Sequence, residues 1–413
     1  MKAVILVGGT QLMKHVALVV SAFCILIAPV SVSRAQDIPA FSMDTAVATG
    51  DVDGDGYTDV VVARTYIDGA PPHPGKVIVF YRDPTAPRTF FRGEEYRTGN
   101  DPWAVILHDL DGDGRTDIIV ANQTSNSVTV LLQREQAFRG RNIPLNGSPN
   151  AVAVGDLNGD GRPDLAVAMN RAVQIMLQVP PADDSPISFR RPKTYPLDRV
   201  ATAIVPCDLD GDGRLDLAVA GGGESGRVMV LLQDPFSPGI FGEPIKFKAG
   251  KVPYSIDAGD IDADGKPDIA VGLYVLEGEV VVLRQAGVWP RAFPKSTVYR
   301  NKTKFLWWVH IEDVDQDSLL DIAVAGDAGV GILRQDPSRR GKFLPSHLTG
   351  IPLPDEGPSF ITGASLGDLN DDGFPDFIVL VGGSLTPYVF YQDPKKPGRF
   401  RKPQYIRVLD YGK

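Results

Sequence analysis

The chain has 413 residues with 43 Gly, 34 Pro, two Cys and a formal net charge of −9. Gly and Pro make up about one residue in five without a G-X-Y period, which excludes a collagen-like or low-complexity chain; a hydrophobic share of 43% excludes intrinsic disorder. The acid excess argues against nucleic acid as a partner.

The first element in chain order is the apolar run 16–28 (VALVVSAFCILIA), preceded by Lys14 and followed by Ser33-Arg34-Ala35, which places small residues at −3 and −1 of a cleavage site before Gln36. This predicts a secretory signal peptide over residues 1–35, with 1–12 as an upstream extension because Met13-Lys14 is where a signal would normally begin. The run is too short to span a bilayer, and Phe23 before Cys24 is too bulky for a lipoprotein processing site. The mature chain is expected to be secreted or periplasmic, without a membrane span. Cleavage removes Cys24 and leaves Cys207 alone, so no intrachain disulfide can form. It also removes three bases and no acid, taking the net charge from −9 to −12.

From residue 36 onward one nine-residue pattern occurs seven times: DVDGDGYTD from Asp51, DLDGDGRTD from Asp109, DLNGDGRPD from Asp156, DLDGDGRLD from Asp208, DIDADGKPD from Asp260, DVDQDSLLD from Asp313 and DLNDDGFPD from Asp368. The starts are 58, 47, 52, 52, 53 and 55 residues apart, so seven units account for the whole of 36–413 as a single domain. Ahead of each loop runs an alternating stretch such as AVAVGD (151–156); after it comes a short apolar run such as DLAVA (164–168). A third run follows, such as VTVLLQ (128–133) or VMVLLQDP (228–235), and then a Phe (Phe90, Phe138, Phe189, Phe241, Phe293, Phe343, Phe400) expected to open a weaker fourth strand. No amphipathic helix is evident.

Four antiparallel strands in each of seven units predict an all-β, seven-bladed β-propeller, a closed ring with only short protected edges. The blades fall near 40–97, 98–144, 145–196, 197–248, 249–300, 301–350 and 351–413. Blade 1 either begins with the strand around 45–50 or receives the C-terminal strand around 405–409 to lock the ring.

In the loop DxDxDGxxD the side chains at positions 1, 3 and 5 point to one centre, Gly at position 6 permits the positive φ of the tight curl, position 7 offers its carbonyl and the Asp at position 9 closes the shell. Hard oxygen donors at this density suit Ca²⁺. An EF-hand needs Glu at position 12, where Val62, Val120 and Val167 stand, so that motif is excluded. The competing explanation, acidic turns without metal, leaves four converging carboxylates repelling one another.

These stretches, each followed by a run such as LAVA, resemble the FG-GAP (VCBS-type) repeats of the integrin α-chain propeller and its bacterial relatives over about residues 40–410. In that family the loop joins the first two strands of a blade and binds Ca²⁺ on one face of the ring. The resemblance implies up to seven Ca²⁺ held by Asp51, Asp53, Asp55, Tyr57 and Asp59; Asp109, Asp111, Asp113, Arg115 and Asp117; Asp156, Asn158, Asp160, Arg162 and Asp164; and Asp208, Asp210, Asp212, Arg214 and Asp216. The same holds for Asp260, Asp262, Asp264, Lys266 and Asp268; Asp313, Asp315, Asp317, Leu319 and Asp321; and Asp368, Asn370, Asp372, Phe374 and Asp376. Gln316 and Ser318 replace both glycines of repeat six, which predicts a weak or empty site there, and Ala263 in repeat five is a milder change. In a disulfide-free exported protein such ions act most simply as staples.

Six residues before each loop, at the other end of the first strand, stand Thr45, Trp103, Asn150, Thr202, Tyr254, Trp307 and Thr362. Trp103, Asn150, Tyr254, Trp307 and Trp308 are the candidate ligand-binding residues, suited to stacking on sugar rings or anchoring a protein, against the alternative that the aromatics plug the channel. No catalytic residue is assigned: the mature chain has four His, no metalloprotease spacing and no GxSxG elbow. The sequence therefore predicts a monomeric, calcium-binding adhesion or ligand-binding module for an extracellular protein or carbohydrate. The alternative is a carbohydrate-active enzyme of the polysaccharide lyase or sugar dehydratase type on the same scaffold.

Overall fold

Valine, isoleucine, leucine and alanine dominate the four residues that follow each acidic loop, and in the folded chain these runs are buried. A computed structural model describes residues 41–409 apart from 68–72, 136, 181–186, 352–359, 383 and 385; the expected leader, 1–35, lies outside the described residues. Every described element is a strand or a turn. The strands form seven antiparallel four-stranded sheets in a ring, a seven-bladed β-propeller.

Blade 1 consists of Phe41–Gly50, Asp59–Ile67, Gly75–Arg82 and Thr89–Arg97; blade 2 of Pro102–His108, Asp117–Asn122, Ser127–Arg134 and Ala137–Pro144. Blade 3 holds Pro149–Gly155, Asp164–Met169, Ala172–Met176 and Lys193–Pro196; blade 4 holds Ala201–Cys207, Asp216–Gly221, Arg227–Leu231 and Ile245–Lys248. Blade 5 is Pro253–Gly259, Asp268–Leu273, Glu279–Arg284 and Lys295–Arg300. Blade 6 is Leu306–Glu312, Asp321–Gly326, Gly329–Leu333 and His347–Gly350, and blade 7 is Ile361–Gly367, Asp376–Val381, Tyr388–Phe390 and Gln404–Tyr405. First strands touch the first strands of neighbouring blades and so form the innermost layer of the ring.

The continuous apolar pattern of the second strands follows from their place. Each is flanked by two strands of its own blade and covered on both faces by neighbouring blades, as in Asp164–Met169, which is buried at every position. There is accordingly no single core. Apolar clusters lie between blades: Ala166, Ala168 and Ile175 of blade 3 pack on Ile204, Leu217 and Met229 of blade 4. Blade 1 meets blade 7 in the same way, through Val60, Ile78 and Phe90 against Ile378, Leu380 and Val389. The non-directional apolar contact of the seam is what closes the ring.

Both alternatives for blade 1 turn out to coexist. Phe41–Gly50 is its innermost strand, and Arg407–Leu409 adds a fifth strand on the outside, parallel to Thr89–Phe91. Ile406, just before that strand, is buried in the seam. Across the inner edge, Thr49 Oγ1 lies 2.9 Å from Ser365 Oγ and donates to Leu366 O at 2.6 Å.

The recurring Phe does not open the fourth strand in every unit. In blades 4, 6 and 7, Phe241, Phe343 and Phe400 form isolated bridges to Gln233, Gln335 and Gln392, and the fourth strand restarts several residues later. In blade 3, Phe189 belongs to a separate two-stranded ribbon with Gln178. The ring itself buries against its neighbour and fixes the strand locally, so the bridging Phe is a bolt rather than a strand start.

Candidate metal centres and the central channel

All seven loops share one backbone bracing that needs short acceptors at fixed positions. The carboxylate at position 1 accepts the N–H of positions 5 and 6, as Asp51 does from Asp55 at 3.1 Å and Gly56 at 2.9 Å. The carboxylate at position 5 accepts the N–H of position 7, as Asp55 does from Tyr57 at 2.9 Å. These bonds recur even in loop 6, where Gln316 and Ser318 take φ of 62° and 68° in place of glycine. What loops 5 and 6 lack is the bond from the position-4 N–H to the position-1 carboxylate, present at Gly54, Gly112, Gly159, Gly211 and Asp371.

The Asp at position 9 does more than close a metal shell. One oxygen accepts the N–H at the end of the third strand in every blade: Arg82, Gln133, Gln178, Gln233, Gln285, Gln335 and Gln392 donate at 2.6–2.8 Å. The other accepts the N–H of position 2 in loops 1, 2, 3, 4 and 7, for example Leu157 at 2.9 Å. Burial is the main cause that raises these carboxyls, to about 7 for Asp59, Asp216, Asp321 and Asp376 and to about 6 for Asp117, Asp164 and Asp268, against the backbone N–H groups that lower them.

The glutamines that end the third strands were not singled out by the sequence reading. Gln335 Nε2 donates to Ile261 O of the preceding loop at 3.0 Å and to Leu320 O of its own at 2.8 Å. Gln178, Gln285 and Gln392 likewise reach the preceding loop at Leu110 O, Leu209 O and Val314 O. The signal was present as a Gln closing the third apolar run in six of the seven units.

The residues present fit a hard divalent cation. In loops 1, 2, 4, 5 and 6 three carboxylates bring one oxygen each within 4.8 Å of one another: Asp51, Asp53 and Asp59; Asp109, Asp111 and Asp117; Asp208, Asp210 and Asp216; Asp260, Asp262 and Asp264; Asp313, Asp315 and Asp321. Buried Oδ1 atoms of Asp111, Asp262 and Asp315 and Oδ2 atoms of Asp268 and Asp321 have no hydrogen-bond partner. Orphaned buried carboxylate oxygens of this kind call for a cation. Loops 3 and 7 carry amides at position 3: Asn158 accepts from Asp160 N at 2.9 Å, and Asn370 donates to Asp376 Oδ2 at 2.6 Å.

At the far end of the first strands the predicted ligand residues have internal partners. Asn150 Nδ2 donates to Ala201 O of the next blade at 2.8 Å, and Thr45 and Thr202 bridge to Pro102 O and Pro253 O in the same fashion. The Trp103 indole of blade 2 is hydrogen-bonded to the Tyr254 hydroxyl of blade 5, across the ring. Tyr254 meets Trp307 edge to face at 5.0 Å, and the Trp307 indole donates to Asp327 Oδ1 at 2.6 Å. Trp308 stands apart from that group, against His310 and Phe377 with ring centroids 5.4 and 5.7 Å away.

Beside Trp308 lies a polar cluster on the first strands of blades 5 and 6. Asp257 Oδ2 accepts from His310 Nδ1 and from Ile311 N, both at 2.8 Å, and His310 Nε2 is 3.7 Å from Glu312 Oε2. Burial works to lower the His310 pKa, but the hydrogen bond and charge of Asp257, with Glu312, outweigh it and the pKa is raised. Burial also raises Glu312. A separate cavity of about 330 Å³ sits at the seam of blades 1 and 7, lined by Arg64, Phe80, Arg92, Pro387, Ile406 and Val408; Arg64 is paired there with Asp44 at 2.5 Å.

Three of the solved structures that match most of the chain indicate the range of proteins with this fold. They are an Agrocybe aegerita lectin that recognises non-reducing terminal N-acetylglucosamine (18% identity, TM-score 0.53, 88% of this chain and 94% of that one), Chaetomium thermophilum Sqt1 bound to the N-terminus of the ribosomal protein L10 (15%, 0.54, 88% and 87%), and the rhamnogalacturonan lyase YesW (12%, 0.50, 86% and 74%). At these identities the likeness is one of fold. No curated protein matches the chain. The FG-GAP-like repeat family matches residues 109–167, 208–271 and 313–379, and the FG-GAP repeat family matches 44–80. With these matches spanning more than half of its length and the loop repeated in all seven blades, the chain belongs to the FG-GAP repeat proteins.

Proposed function

We propose that this is an exported propeller that binds Ca²⁺ in its acidic loops and serves as a non-enzymatic module for a carbohydrate or protein ligand. The observation that carries the calcium reading is the set of buried, unpartnered carboxylate oxygens inside loops whose backbone is already braced. Bound calcium would supply positive charge to Asp residues at positions 1, 3, 5 and 9. The chain's own contribution is to hold those oxygens in place, to tie each loop to its own blade through position 9, and in blades 3, 5, 6 and 7 to tie it to the preceding loop through the Gln that ends the third strand. The apolar run 16–28 supports export.

A second reading, a carbohydrate-active enzyme, is favoured by one observation: Asp257 fixes His310 Nδ1, leaving Nε2 free to exchange a proton beside Glu312. The two readings separate in one experiment, a glycan and matrix-protein screen with the mature chain in calcium and in chelator. Retention of unmodified ligand, lost on chelation, is the expected result. Release of an unsaturated or otherwise altered sugar, abolished by His310→Ala, would establish the enzyme instead.

A further inference from the structure

The seven loops differ in one respect that their shared motif conceals. In loops 2, 5 and 6 an arginine from the end of the third strand reaches the position-3 carboxylate: Arg134 pairs with Asp111 and, at 2.9 Å, with Asp113; Arg284 pairs with Asp262 at 2.5 Å; Arg334 pairs with Asp315. These arginines engage Oδ2, and Oδ1 of the same three aspartates is buried and unpartnered. The Asp111 and Asp315 side chains are only 6% and 1% exposed, whereas Asp53 and Asp210 of loops 1 and 4 are exposed.

The placement is built into the ring. Arg284 and Arg334 directly precede the stapling glutamine, and a turn of the next blade lies on each. Gly341 leaves no room for a Cβ against the Arg284 guanidinium, and a Cβ on Gly398 would meet Arg334 Cδ at 2.8 Å. The corresponding slot in blade 3 holds Leu177 under Gly239. Position 3 is Asn158 or Asn370 where the slot holds Leu177 or Tyr391, and it is Asp wherever a third-strand arginine arrives. Loops 1 and 4 keep Asp at position 3 with Tyr81 and Leu232 in the slot, so they carry four carboxylates without that compensation. The outer arginines at position 7, Arg115, Arg162 and Arg214, pair with position 5 in loops 2, 3 and 4 alike and do not separate loop 2 from loop 4.

We propose that Arg134, Arg284 and Arg334 are tethered counter-ions that divide the ring into two classes of calcium loop: loops 1 and 4 bind the ion tightly, and loops 2, 5 and 6 keep their shape without it and bind it more weakly. This rests on the calcium reading above. A fixed positive charge some 6 Å from a divalent ion lowers its affinity about tenfold even in the dielectric of water. The free Oδ1 keeps the weaker loops able to bind.

The test is a calcium isotherm of the full mature chain by flow dialysis. The wild type is expected to show tight and weak classes, and Arg284→Leu/Arg334→Leu, which copies the native occupant of blade 3, to move two sites to the tight class with the total unchanged. The reverse substitution, Leu232→Arg, is expected to move one tight site to the weak class, and it decides the matter if the double variant fails to fold. An isotherm unchanged by these substitutions, or weaker binding in the double variant, would overturn the proposal while leaving the calcium reading intact. Absence of calcium binding by the wild type would overturn the calcium reading itself.

Discussion

Stripped of calcium, the protein is expected to melt at a lower temperature at pH 8 than at pH 5.5, and calcium is expected to reverse that order. The seven position-9 carboxyls are buried and raised to about 6 or 7 from an ordinary value of 3.8. A raised folded-state pKa means that the folded chain binds the proton more tightly than the unfolded chain. The contribution to stability is therefore fully present below about pH 4 and is lost as the pH climbs through 6 to 7. Each shift corresponds to about 3–4 kcal/mol in isolation, and a combined drop of more than about 10 °C in melting temperature follows if only part of it is expressed. Calcium selects the ionised carboxylates, so the loaded protein gains stability over the same pH window. Calorimetry of chelated and calcium-loaded protein at the two pH values reads both trends. A chelated protein that melts higher at pH 8 than at pH 5.5 contradicts the account.

Asp164→Ala is expected to destabilise the chain by about 2–6 kcal/mol, with or without calcium, because it strands two buried N–H donors at about 1–3 kcal/mol each. Asp164 accepts from Leu157 N at 2.9 Å and Gln178 N at 2.6 Å, and it is fully buried. Asp160→Ala in the same loop removes an exposed side chain whose bonds run to Arg162. Its cost in chelator is expected to stay below about 1 kcal/mol, and its cost in calcium to be larger. Urea denaturation of both variants in the two conditions makes the comparison. Equal losses for the two residues in chelator would mean that position 9 is a metal ligand only and anchors nothing.

The ring was legible because two signals repeat at the same period. The second-strand runs such as DLAVA mark positions covered on both faces, and the loop DxDxDGxxD marks the turn before them; neither needs long-range information. The role of Arg407–Leu409 was not decided by sequence, because a parallel outer strand is specified only by what stands beside it after the ring closes. The stapling glutamines were missed for a related reason. A Gln at the end of an apolar run reads as a solvated strand end, and its partner, such as Ile261 O for Gln335, lies in the preceding blade. The aromatic residues stand at the far end of the first strands, and only the folded ring reveals that Trp103 and Tyr254 bond to each other from blades 2 and 5. Loop 6 shows the converse limit: Gln316 and Ser318 break the glycine pattern, yet Asp313, Asp315 and Asp321 still converge.

The acidic excess of the chain is thereby concentrated in one kind of loop. Of the 28 side chains at positions 1, 3, 5 and 9, all but Asn158 and Asn370 are Asp, and the remainder of the chain is basic. On the calcium reading, the charge shown to a partner depends on how many loops are filled. Metal analysis of the mature chain, equilibrated with saturating calcium and freed of unbound ion, tests this most directly. The account predicts calcium in most of the seven loops, whereas fewer than about four ions per chain would contradict it.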